Sequence, residues 1–314
     1  MTLINTTLST ITLGDEVTFR NLTMFALRSE LDQDLLYDTL DSALEAGSLT
    51  VSELTDDGHV PEIKVANRGA RPVLIIDGEE LVGAKQNRTV NLSLLAPPKQ
   101  DTVIPVTCVE AGRWRARSAQ FASSQRTHFA EGRAAKSRQV SESLLARGTA
   151  TADQGQVWEA IAAKSARLRT HSPTAAMADM FLAQDENVED YVRAIPPFVR
   201  QVGAIFLIDG QPRGLDLFDG AETFARLVPK VLRGYSLDAI DATRTQGAAA
   251  DAQRSPGMNR GRAQQFLTTV LGAERAVFPA VGLGQSWRLL GPDVSGGALT
   301  VAGRVVHLSA FSML

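Results

Sequence analysis

Between Asp77 and Arg88 the chain reads Asp-Gly-Glu-Glu-Leu-Val-Gly-Ala-Lys-Gln-Asn-Arg, its densest mixture of acids, cations and amides around an apolar centre. Strand alternation would place Glu79, Lys85 and Asn87 on one face and Glu80, Gln86 and Arg88 on the other, so each face carries an acid and a base. One chemistry for such a segment is a pocket. Gly78 and Gly83 admit a ligand close to the backbone, Lys85, Gln86, Asn87 and Arg88 hold an anion, and Glu79 or Glu80 serves as general base or metal ligand. The other is a pair of solvated hairpin ends carrying cross-strand ion pairs.

Further along, Arg113, Arg115 and Arg117 recur at spacing two and would line one face of an extended segment. Residues 111–170 hold 11 Lys and Arg against 4 Asp and Glu, a local charge of +7 in a chain of net charge -3. A phosphate, ADP-ribose or a nucleic-acid backbone could dock there, or the charges could form a solvated helical face. Glu110, at the end of a strand, is a third candidate base, since strand ends open onto pocket mouths. Cys108 falls on the apolar side of that strand, with Ile104 and Val106, and reads as a buried structural thiol. Asp216, flanked by Leu215 and Leu217, points either to solvent from an edge strand or into a polar, ligand-binding site. Asp219 reads as a helix cap, and Lys164 and Asp179 as surface residues lying off the apolar stripes of their helices.

These residues must be positioned by a chain of 314 residues that is 44% hydrophobic, 21% charged and 6% aromatic, an ordinary globular composition. The small net charge supplies no global attraction to nucleic acid or anionic lipid, and 3 Trp and 3 Tyr are few for base stacking. One cysteine excludes an intrachain disulfide and any multi-cysteine metal site, and the four scattered histidines show no paired helical spacing. No GxGxxG, GxxxxGK[ST], HExxH or GxSxG motif is present. The start, Met-Thr-Leu-Ile-Asn-Thr-Thr, lacks a basic leader, and the longest apolar run, Val202 to Ile208, is too short to span a bilayer. A cytoplasmic protein is expected.

The segment from Val60 to Val109 reads as short β-rich runs (Val60–Ala66, Arg71–Ile76, Glu80–Ala84, Arg88–Leu95, Thr102–Val109) broken by turn signals, hence an antiparallel meander. A short helix is expected at Thr39–Gly47, others at Gln154–Leu168 and after Ser172-Pro173, and a second hairpin at Val202–Phe218. A helix should open at Ala221-Glu222 and kink at Pro229, Gln246 to Arg262 should be a mobile loop, and a helix at Ala263–Leu271 should precede C-terminal strands. Strands and helices in separate blocks predict an α+β fold, taken as one domain over 1–314, with a division at 115/116 as the alternative.

The runs VPEIKVANRGARPVLIIDGEELVGAKQNR, IPVTCVEAGRW, VWEAIAAKSARL, SPTAAMAD, GLDLFD and GRVVHLSAF together resemble a bacterial family, the ARG and rhodanese-phosphatase-superfamily-associated protein domain. The resemblance covers Val60–Trp114, Val157–Ile240 and Phe278–Phe311. It implies association with ADP-ribosylglycohydrolases and rhodanese-like phosphatases, and hence with ADP-ribose or nucleotide processing in conflict or stress systems. It assigns no catalytic residues. The combined expectation is a small phosphorylated, nucleotide-like ligand held by Lys85, Arg88 and Arg113, with Glu79, Glu80 or Glu110 as base. Hydrolysis, non-catalytic sensing and protein interaction all stay open. The cofactor is unspecified, with a divalent metal as the candidate, and the assembly could be a homodimer; neither specific nucleic acid nor a membrane is expected as a partner.

Overall fold

A computed structural model describes residues 2–29, 36–55, 58–246 and 256–313. The first third runs α1 (Leu3–Thr10), β1 (Thr12–Phe19), β2 (Leu22–Arg28), β3 (Asp38–Thr39), α2 (Leu40–Glu45), β4 (Leu49–Glu53), β5 (Glu62–Asn67), β6 (Val73–Ile75), β7 (Glu79–Gly83), β8 (Arg88–Val90), β9 (Leu94–Ala96) and β10 (Gln100–Cys108). Then come β11 (Phe121–Thr127), α3 (Ala130–Arg147), α4 (Gln154–Arg167), α5 (Met177–Ala183), α6 (Asp185–Ala194), β12 (Gln201–Ile208), β13 (Gln211–Phe218) and α7 (Ala221–Gln246). The chain ends with α8 (Pro256–Gly272), β14 (Glu274–Pro279), β15 (Gln285–Leu290), β16 (Val294–Val301) and β17 (Arg304–Ser312). The fold is α+β, with antiparallel strands in the N-terminal half, helices in the middle and strands again at the C-terminus. Among the described residues, no helix is long and apolar enough to cross a membrane.

An eight-stranded sheet has the order β1-β2-β12-β13-β17-β16-β15-β14, a six-stranded sheet the order β11-β7-β8-β10-β5-β4, and β3-β6-β9 form a small third sheet. The N-terminal strands are antiparallel as expected, but their neighbours are not serial. β5 pairs with β4 and β10, while the wholly buried β6 leaves to pair with β3 and β9. The run Arg88–Leu95 is two strands. It breaks at Asn91–Ser93, where the Asn91 amide donates to Ala150 O and Ser93 bonds across the molecule to His307.

β12 explains the apolar run Val202–Ile208, since all eight of its residues are buried at the centre of the large sheet. Ala204, Phe206 and Ile208 face α7, and Phe206 stacks on Tyr235 with ring centroids 4.1 Å apart; Ile205 and Leu207 belong to the opposite core with Phe266 and Leu267 of α8. A strand buried on both faces needs no alternation. α2 opens on a capping box between Thr39 and Ser42, as its sequence signals require.

Two helix readings change. α5 starts at Met177, because Ser172 Oγ accepts from Ala176 N and the intervening Pro173 lies in a turn. α7 continues through Pro229 to Gln246, held by Leu227, Val231, Leu232 and Tyr235 against the core. Of the expected loop, residues 256–262 are the first turns of α8, with Pro256 at its start; residues 247–255 lie outside the described residues.

Candidate functional site

β7 and β8 form a hairpin whose entry is Asp77-Gly78. Gly78 sits at φ +85°, and a Cβ there would lie 2.8 Å from the Arg133 side chain, so this turn admits only glycine. The hairpin sends its charges in different directions. Glu79, 1% exposed, accepts from Lys230 of α7 and from Ile76 N at 2.9 Å; burial pushes its carboxyl up while Lys230 opposes the shift. Glu80, equally buried, accepts from Arg126 Nε of β11 at 2.6 Å. The two adjacent acids therefore end in separate ion pairs on opposite sides of their strand.

Gln86, Asn87, Glu110 and Arg113 do come together. Glu110 is fully buried and accepts four bonds: Oε1 from Arg113 Nε (2.8 Å) and Thr174 Oγ1 (2.8 Å), Oε2 from Arg113 Nη2 (2.7 Å) and Asn87 N (3.1 Å). Burial raises its carboxyl, but the bonds from Arg113, Thr174 and Asn87 outweigh this and hold it below the usual range. Arg113, 6% exposed, also donates to the carbonyls of Gly83, Ala84 and Arg115 and to Asn87 Oδ1. With its donors taken, Arg113 fastens the 110–117 loop to the hairpin. Gln86 ties Glu110 O to Arg88 Nη1, and Arg88 is fully buried. Lys85 is half-buried with its ammonium 5.5 Å from the Trp114 ring.

This knot anchors a second segment. Gly112 N donates to Thr174 O at 2.8 Å, Met177 N donates to Val109 O at 2.9 Å, and Ser172 Oγ donates to Asp179 Oδ2 at 2.5 Å. Between the hairpin, the loop and this segment lies a cavity of about 350 Å³, bordered by Asn87, Glu110, Arg117, Arg126, Thr174 and Asp179. Arg117 is exposed and its side chain makes no bond to the described residues; Arg126 spends only Nε on Glu80 and stacks over Phe181 at 4.8 Å. Asn87 is 5% exposed, and its Oδ1 is fixed by two donors, Gly83 N (3.2 Å) and Arg113 Nη2 (3.1 Å). Flipping the amide would set donor against donor, so Nδ2 is held outward without a partner among the described residues. Arg126 and Thr174 escaped the sequence reading, and Asp179, read as a surface residue, is half-buried at the cavity, because each reaches it from a different element.

Several expectations are corrected. Arg113, Arg115 and Arg117 are not one stripe, because the segment is a loop that turns Arg113 inward and leaves the other two in solvent. The +7 region is only partly at the surface: Arg133, Lys136 and Lys164 are all at most 1% exposed and paired, while Arg115, Arg117, Arg138, Arg147, Arg167 and Arg169 are exposed. Lys164, read as a surface residue, lies 2.8 Å from both Asp238 and Asp241 of α7, since the polar side of α4 faces α7 and not water. A larger cavity of about 470 Å³ opens there, but its Lys164 and Arg167 are already bound to Asp241. Asp219 receives Tyr37 Oη and Arg304 Nη2.

Asp216 takes the polar of its two readings. It is fully buried and binds Arg133 through two bonds of 2.7 and 3.2 Å. Asp77 N donates to Ser93 Oγ, leaving the Ser93 proton for His307 Nδ1 at 2.6 Å, and His307 Nε2 faces Asp216 Oδ1 at 3.3 Å. Serine, histidine and carboxylate stand in the order of a hydrolytic triad. Here Asp216 is committed to Arg133, His307 is 0% exposed and neither cavity is lined by any of the three, so the chain ties the two large sheets together. Along the large sheet, Arg288, Gly297, Ser309 and Asp216 form one transverse polar row, and Arg288 crosses the side-chain-free Gly297 to reach Ser137 and Ser141 of α3. Among the described residues, no group of three or more His, Cys, Asp or Glu could hold a metal ion.

Cys108 is fully buried, and burial pushes its thiol up against the opposing bond from Glu110 N. A thiol reagent should therefore label the native protein slowly and the denatured protein fast. Rapid stoichiometric labelling of the folded chain would show that the strand end opens.

An α+β frame carrying a small polar cavity beside a buried carboxylate–guanidinium knot is the class that fold and site define. Across residues 10–311 of 314 the sequence matches the ARG and Rhodanese-Phosphatase-superfamily-associated Protein domain, and the chain belongs to that family. Comparison with curated proteins and with solved structures finds no match.

Proposed function

We propose that the protein binds a phosphorylated small molecule of nucleotide type in the 350 Å³ cavity. The observation that carries this reading is the amide of Asn87, buried, locked by Gly83 and Arg113, and left with an unspent donor at a cavity that Arg117 and Arg126 also line. Three donors of this kind suit phosphate oxygens. The family's name, which links it to the ARG and rhodanese-phosphatase superfamily, is in keeping with such a ligand. Binding without turnover is the better-supported form. The lone pairs of Glu110 are taken by four donors, and Glu79 and Glu80 are ion-paired away from the cavity, so none of the three is poised to take a proton there.

Calorimetric titration with ADP-ribose at low and physiological salt tests the proposal. Arg117→Ala should weaken binding by about 1.5–3 kcal/mol, the range of a charged hydrogen bond. Lys85→Ala, at a residue outside the cavity lining, should leave it within twofold. An oligonucleotide that stays bound at physiological salt while ADP-ribose never binds would refute the reading.

A further inference from the structure

Resting on the phosphate reading, we infer that the cavity selects a sugar phosphate, holding vicinal hydroxyls against the 172–179 segment. The donor and acceptor inventory of the two walls is lopsided. On one wall, Asn87 Nδ2 and the terminal nitrogens of Arg117 and Arg126 can only donate. On the other, the side chains of 172–179 can only accept. Thr174 Oγ1 spends its single proton on Glu110 Oε1 at 2.8 Å, so its lone pairs alone are left for a ligand. Ser172 Oγ accepts from Ala176 N at 2.7 Å and gives its only proton to Asp179 Oδ2, and Asp179 Oδ1 has no partner among the described residues. Asp179 and Thr174 are both half-buried and both line the cavity, so the segment presents two acceptors to whatever enters.

A ligand that satisfies both walls must offer acceptors at one end and neutral or charged donors at the other. Inorganic phosphate has no hydroxyls set apart from its charge and would put an anion against Asp179. A phosphate ester with two adjacent hydroxyls matches the count, one for Asp179 Oδ1 and one for Thr174 Oγ1. Hydroxyls fit better than an ammonium group, because Arg117 and Arg126 already line this small cavity and a third cation would be repelled by both. Val82, Ala176 and Ala178 also line the cavity and offer apolar surface for the carbon face of a sugar ring.

The test is calorimetry on the full chain with three probes: ribose 5-phosphate, ethyl phosphate, which lacks hydroxyls, and phosphoethanolamine, which replaces them with an ammonium. Ribose 5-phosphate should bind at least tenfold more tightly than either of the others. Asp179→Asn should erase at least tenfold of its affinity and leave ethyl phosphate within twofold. The wild-type comparison stands whether or not the variant folds. Equal binding of ribose 5-phosphate and ethyl phosphate, both lost in Arg117→Ala, would overturn the sugar inference and leave the phosphate reading intact. Tightest binding of phosphoethanolamine would overturn the inference in favour of an ammonium ligand. If none of the three probes binds while ADP-ribose does, the sugar inference falls; if ADP-ribose fails as well, the phosphate reading falls with it.

Discussion

Replacing Asp216 with leucine should destabilise the protein by about 3–5 kcal/mol, the cost of leaving a buried guanidinium without its counter-charge. Arg133 is 0% exposed, makes two bonds to Asp216 and has only the more distant Asp77, at 3.5 Å, as a second carboxylate. The substitution would also strip His307 Nε2 of its acceptor. Most of the loss should return in the double variant Asp216→Leu with Arg133→Met, because apolar residues of similar volume replace a buried ion pair at little net cost. Urea denaturation midpoints of the single and double variants decide the matter. A loss under 1 kcal/mol for Asp216→Leu would mean that Asp77 takes over as partner. The carboxyl of Asp216 is pushed up by burial but held at about 2 by Arg133 and His307. Its folded value lies below its unfolded value of about 3.9, so this stabilisation is complete above about pH 4 and lost as pH falls through about 2.

The second large effect is acid sensitivity at a higher pH. His128 is 1% exposed, its Nε2 has no hydrogen-bond partner among the described residues, and burial together with nearby Lys136 pushes its pKa down to about 3. Unfolded, the same imidazole titrates near 6.5. The unfolded chain therefore binds the proton first, so stability is fully present above about pH 6.5 and declines as pH falls toward 3. At about 1.4 kcal/mol for each unit between the two values, the loss approaches 4–5 kcal/mol at the acid end. His128→Gln, which cannot titrate, should flatten the difference in denaturation midpoint between pH 7.5 and pH 4. Parallel slopes for the variant and the parent chain would assign the acid lability to other groups.

Local signals proved sound wherever the physics was local. The Thr39–Ser42 capping box, the stripe of Val157 and Ile161 on α4, the β12–β13 hairpin around Asp209-Gly210 and the buried position of Cys108 depend on neighbours within a few residues, and each is legible in the letters. The Asp77–Arg88 segment likewise announced polar chemistry, and Gly83 and Asn87 do border a cavity. Tertiary structure alone decided which of its charges would be spent. Glu79 meets Lys230 across 151 positions of chain, Asp216 meets Arg133 across 83, and Ser93 meets His307 across 214. No period or motif encodes such pairings, because a charge that lies off the apolar stripe of its own helix is exposed only if nothing packs on that side. Lys164 has that signature and is nonetheless buried, since α7 brings Asp238 and Asp241 over it. The sequence by itself determined α2, α4, the β12–β13 hairpin, the α+β segregation and the residue types available for a site. Burial and counter-charge, which belong to the packed layers, decided that Glu110 and Arg113 became scaffolding and that Asn87, Arg117, Arg126, Thr174 and Asp179 were left at the cavity.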